Sequence, residues 1–119
     1  MTERILIVDD DRIIGGLLRD YLGSLGYEVL CLESARDAIP QIEAESFDIV
    51  ITDYDMPDMD GLELTRVIKK INPTLPVIGI SASCHERRFI DAGAVHFVSK
   101  PFGLRQLKEA VENHLKAVR

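Results

Sequence analysis

The chain switches between two hydrophobic periods five times in succession. The short apolar runs "RILIV" (Arg4–Val8), "EVLCL" (Glu28–Leu32), "DIVIT" (48–52), "VIGIS" (Val77–Ser81) and "VHFVS" (95–99) read as strands. Between them, apolar residues recur at helical spacing. Ile14, Leu17, Leu18, Tyr21, Leu22 and Leu25 mark the first helix, which Gly26 ends. Ser34 reads as the N-cap of a second helix reaching about Ala44. Leu64, Val67, Ile68 and Ile71 mark the third, which stops before "NPTLP". A short fourth falls within 84–91 and closes at Gly93, and Leu104, Leu107, Val111 and Leu115 stripe the last. Strands separated by helices imply crossover connections and a parallel sheet, and strands without polar alternation need cover on both faces. The pattern therefore predicts an α/β fold, a five-stranded parallel sheet with helices on both faces.

Right-handed crossovers leave few topologies, and at 119 residues the flavodoxin-like strand order 2-1-3-4-5 fits best. That length predicts one domain, residues 1–119, around one core. Two local features resist. Gly15 and Gly16 should each cost the first helix about 1 kcal/mol relative to alanine. Pro40 should kink or shorten the second.

Composition narrows the function. A net charge of −6 argues against a general nucleic-acid binder, which needs a basic face to displace counterions. No apolar run is long enough to cross a membrane, and the N-terminal stretch lacks the small-residue cleavage site of a signal peptide. Cys31 and Cys84 are isolated, as expected of reduced thiols in a cytoplasmic protein. His85, His96 and His114 show no metal-type spacing and read as ordinary surface or packing residues.

The acids are clustered. Asp9, Asp10 and Asp11 follow the first strand, and Asp53, Asp55, Asp58 and Asp60 crowd the exit of the third. Ligands in open parallel sheets bind beyond the carboxyl ends of the strands. Strand four ends in Ser81, and strand five is followed by Lys100 and Pro101. In the predicted order these exits converge on one pocket of carboxylates, a hydroxyl and an ammonium. Carboxylates from two strands suit a hard cation such as Mg²⁺. A carboxylate beside that cation can attack a phosphoryl group, with the ammonium and hydroxyl stabilising the developing charge.

At these residues the chain resembles the receiver domains of two-component response regulators. "ILIVDDD", "DIVITDYDMPDMDG", "VIGISA" and "HFVSKPF" carry the likeness, in order and spacing, over essentially the whole chain. The resemblance implies a phosphorelay role. Asp53 would be the phosphoacceptor, with Asp10 and Asp53 as carboxylate ligands to Mg²⁺ (or Mn²⁺), Asp9 acting mostly through water, and the backbone carbonyl of Asp55 as a further ligand. Lys100 would pair with Asp53 and then with the phosphoryl group. Ser81 and Phe97 would form the switch, and Lys100–Pro101 would be a cis peptide. Phosphate would come from a histidine kinase or histidine phosphotransfer protein. Output would pass to a downstream protein or to an effector domain outside this chain.

The chain also departs from the pattern. Ser81 stands where threonine is commoner, and the stretch from Ser81 to Gly93 is about three residues short of the usual receiver, so a clipped or displaced fourth helix is expected. Bland readings stand beside the sharp ones. Asp11 is an N-cap candidate, and Asp58 and Asp60-Gly61 read as turn and helix-start chemistry. Two other functions compete: an aspartyl-phosphate hydrolase, for whose cap this chain has no room, and a degenerate receiver that only docks proteins. The first reading makes the chain no enzyme, since it turns over no external substrate.

Overall fold

The computed structural model describes residues 2–118, with side chains through residue 115. Each apolar run forms a strand and each periodic segment a helix. The elements are β1 (Arg4–Val8), α1 (Arg12–Ser24), β2 (Glu28–Leu32), α2 (Ala35–Ala44), β3 (Ile49–Asp53), α3 (Gly61–Ile71), β4 (Val77–Ser81), α4 (Glu86–Ala92), β5 (His96–Ser99) and α5 (Leu104–Val118). All strands are parallel, in the order β2-β1-β3-β4-β5 that the sequence predicts.

Side chains alternate across the sheet, so each strand feeds two cores. Ile5, Ile7, Ile49, Ile51, Ile78 and Ile80 face α1 and α5, meeting Leu18, Leu22, Leu107 and Val111. Leu6, Val8 and Val50 face α2 and α3, meeting Ala38, Ile42, Leu64 and Ile68. A third cluster of Leu62, Phe89 and Ala94 seats α4.

Capping follows the sequence reading. The Asp11 carboxylate accepts from the amides of Ile13 and Ile14, Ser34 Oγ accepts from Asp37, and Asp60 accepts from Glu63. The fourth helix is short, as expected. His85 precedes it without a side-chain cap, and Gly93 closes it at φ +114°, a left-handed position that suits glycine.

Pro40 does not shorten α2, which runs from Ala35 to Ala44 with the proline inside it. Arg36, whose carbonyl loses its helical partner to the ring, and Pro40 are both exposed, so water can take that carbonyl. Three strand bounds also move by one residue. β5 begins at His96, and β3 runs from Ile49 to Asp53, because Asp53 stays in register with Ile80 of β4.

The paired glycines of α1 separate. A Cβ on Gly15 would lie 2.5 Å from Cys31 Sγ, whereas one on Gly16 meets only the tip of Arg19, at 3.9 Å. Gly15→Ala is therefore expected to lower stability by about 1–3 kcal/mol through overpacking. Gly16→Ala should raise it by about 0.5–1 kcal/mol. Urea denaturation of the two variants checks this, and equal signs would refute it.

Candidate functional site

The carboxyl ends of the strands converge as the topology requires. β1 delivers Asp9 and Asp10, β3 ends in Asp53, β4 in Ser81, and β5 leads into Lys100. The Lys100 amide donates to the Ser81 carbonyl at 2.8 Å, which ties the exits of β4 and β5. The Lys100–Pro101 bond is cis, matching the expectation.

Lys100 Nζ stands 3.3 Å from Asp9 Oδ2 and 3.3 Å from Asp53 Oδ1. The ammonium therefore bridges two carboxylates rather than pairing with Asp53 alone. Both acids are buried, and Asp9 is completely inaccessible. Asp9 Oδ1 also accepts from the Asp11 amide at 2.9 Å. Burial pushes the Asp9 carboxyl up, against the pull of that amide and of Lys100. Asp53 is raised to about 6, first by burial and then by the Asp9 charge, with Lys100 opposing both. Burial alone would lower Lys100, but the two carboxylates outweigh it and raise the ammonium.

Carboxylate oxygens of Asp9, Asp10 and Asp53 lie within 4.8 Å of one another, with Asp10 exposed at the mouth. Such a hard oxygen set can hold a small divalent cation. The Asp55 side chain is exposed and is not one of the three. Ser81 is buried, and its Oγ accepts from the Ser83 amide at 3.0 Å. Phe97 is half-buried, sits opposite Gly79 in register, and packs 5.7 Å from the Phe89 ring.

The remaining acids of the β3 exit go elsewhere. Asp58 accepts from the Arg36 amide at 2.8 Å, at the start of α2, and Asp60 caps α3. The turn from 54 to 60 is closed by the Gly61 amide donating to the Tyr54 carbonyl at 2.9 Å. A Cβ on Gly61 would fall on the Asp53 carbonyl oxygen, so only glycine lets α3 start this close to β3.

Sequence reasoning missed one layer over the site. Tyr54, directly after Asp53, stacks on His85 with ring centres 3.8 Å apart, and the Arg88 guanidinium lies 5.9 Å from the Tyr54 ring centre. Phe89 below is fully buried. The available signal was glycine: Gly79 inside an apolar strand marks where another group approaches closely.

A family model described as the response regulator receiver domain matches residues 5–112. The chain is 38% identical over 118 residues to the sensor histidine kinase RcsC of Escherichia coli K12, covering 97% of this chain and 12% of that protein. It is 37% identical over 117 residues to the response regulator FleR of Pseudomonas aeruginosa, covering 96% of this chain and 25% of that one. It thus spans well under two thirds of these relatives. The structure superposes on a CheY-like receiver domain protein of Methanospirillum hungatei with TM-score 0.94, 31% identity, and 99% and 97% of the two chains covered. It superposes on the response regulator TrrA of Thermotoga maritima, solved with Mg²⁺ and BeF, with TM-score 0.88, 34% identity, and 95% and 99% covered. Among the described residues no helix is long and apolar enough to cross a membrane.

Proposed function

The chain belongs to the response regulator receiver domain family, and on that premise we propose that Asp53 is its phosphoacceptor. The observation that carries this is the Lys100 ammonium set 3.3 Å from carboxylates of two different strands, beside a third acid. One Asp53 oxygen attacks the phosphorus of a phosphohistidine on a histidine kinase or phosphotransfer protein. The P–N bond breaks, the electron pair leaves with the imidazole, which takes a proton from solvent, and Asp53 carries an acyl phosphate.

The acid cluster fits Mg²⁺ (or Mn²⁺), with Asp10 and Asp53 as direct ligands, Asp9 through water, and the Asp55 carbonyl completing the protein's share. That cation, when bound, would neutralise charge on the transferring group. Lys100 turns from its carboxylates toward a phosphoryl oxygen. The Ser81 hydroxyl donates to another, and Phe97 follows it inward beside Gly79.

The chain catalyses only its own phosphorylation and dephosphorylation, within residues 1–119 as one domain. It acts in the cytoplasm, where the donor kinase phosphorylates it, and neither nucleic acid nor membrane is a direct partner of this domain. Its output passes to a downstream protein or an effector domain.

Incubation with Mg²⁺ and a small phosphodonor is expected to add one phosphoryl group by intact mass. Asp53→Asn should abolish it, and removing the metal with a chelator should reduce it to background. Labelling of the asparagine variant at the wild-type rate would sink the assignment. Failure of the wild type to take up either Mg²⁺ or phosphoryl groups would favour a domain that only docks proteins.

A further inference from the structure

His96 and His114 form a close pair of imidazoles away from the acids. His96 opens β5, and His114 lies near the end of α5. They sit at the amino-terminal end of the sheet, opposite Lys100, which follows β5. Their ring centres stand 5.3 Å apart at an interplanar angle of 45°. Both rings are half-buried, and among the described residues neither has a hydrogen-bond or ion-pair partner.

That spacing has a chemical counterpart. Two imidazoles on one tetrahedral ion, at metal–nitrogen distances of about 2.0–2.1 Å, hold their ring centres about 5 Å apart. The two rings stand at about that separation. Burial, and then the neighbouring His96, push His114 below its ordinary value, which keeps a neutral donor available near neutral pH. Among the described residues no third histidine, cysteine or carboxylate joins the pair, so water would complete the shell of an ion held there. A neutral nitrogen pair favours borderline ions over Mg²⁺.

We propose that His96 and His114 together bind a borderline divalent transition-metal ion such as Zn²⁺ or Ni²⁺, joining the edge strand β5 to α5. This site is chemically distinct from the acidic one, so one chain would read two kinds of cation at opposite ends of its sheet. Because the ligands come from two elements, occupancy stabilises the folded state.

The test titrates the full chain with ZnCl₂ or NiCl₂ in saturating Mg²⁺, which fills the acidic site, and follows it by calorimetry, thermal melting and histidine side-chain NMR. Expected are a raised Tm and joint shifts of both imidazole signals. His96→Gln and His114→Gln should each weaken binding at the imidazoles about tenfold or more, while Asp10→Asn, which alters only the acidic site, leaves the joint imidazole shifts in place. Lowering the pH should release the ion, because protons compete for the same nitrogens. Unchanged Mg²⁺ binding in the histidine variants reports that they remain folded. The proposal fails if the double histidine variant binds as the wild type does, if Asp10→Asn alone removes binding, or if the wild type binds neither ion and the rings merely stack.

Discussion

Phe89→Ala is expected to remove about 3–5 kcal/mol of stability, a large share of what a domain this size possesses. The helix that bears Phe89 has seven residues and no side-chain N-cap, so little but this ring holds it down. The ring is fully buried and fills the space that Gly79 leaves open on β4. It also touches the Tyr54 and Phe97 rings, with centres 6.4 Å and 5.7 Å away. The converse change tests the same fit. A Cβ on Gly79 would come within 2.7 Å of three carbons of that ring, so Gly79→Ala should cost about 1–3 kcal/mol through overpacking. In the double variant the added methyl occupies part of the vacated space, and the two losses should not add. Urea denaturation of the four-member cycle measures this; simple additivity would show that the glycine was not reserved for the ring.

At the site, two substitutions should move stability in opposite directions. Asp53 ionises at about 6 in the folded chain against 3.8 for the free side chain. The folded state therefore holds this proton to higher pH than the unfolded state does. Its contribution is fully present below 3.8 and is lost as pH rises through about 6. At neutral pH the ionised carboxylate then destabilises the fold by about 2–3 kcal/mol. Asp53→Asn should recover much of that while abolishing phosphoryl uptake, and should flatten the fall in stability across that pH window. Lys100→Met should do the reverse. It strips the ammonium from two buried carboxylates, and breaking such a contact typically costs about 3–5 kcal/mol. Combining it with Asp53→Asn should restore part of the loss, because one buried charge then remains instead of two. Denaturation midpoints across pH decide the matter. A destabilised asparagine variant at neutral pH, or a silent Lys100→Met, would contradict this picture of the site.

The acids of the β3 exit show what spacing carries and what it omits. "ITDYDMPDMDG" announced an unusual concentration of charge, and the strand endings announced where Asp9, Asp53, Ser81 and Lys100 would meet. That Asp58 would turn to α2 and accept from Arg36, twenty-two positions away, was not legible, because nothing local links them. The Tyr54–His85 stack was hidden for the same reason: its partners come from different loops. Pro40 leaves α2 reaching Ala44 as the spacing predicts, with the Arg36 carbonyl that loses its partner on an exposed residue.

Sequence alone determined the architecture and the chemistry it gathers. Apolar periods of two kinds dictate strand and helix, burial on both faces dictates the parallel sheet, and the parallel sheet brings the strand ends together. Tertiary structure decided the distances within the site and beneath it. Lys100 bridging two carboxylates, Gly61 against the Asp53 carbonyl, and Phe89 over Gly79 are contacts between segments far apart in the chain. Their geometry follows from how whole elements pack, and no local pattern of residues encodes it.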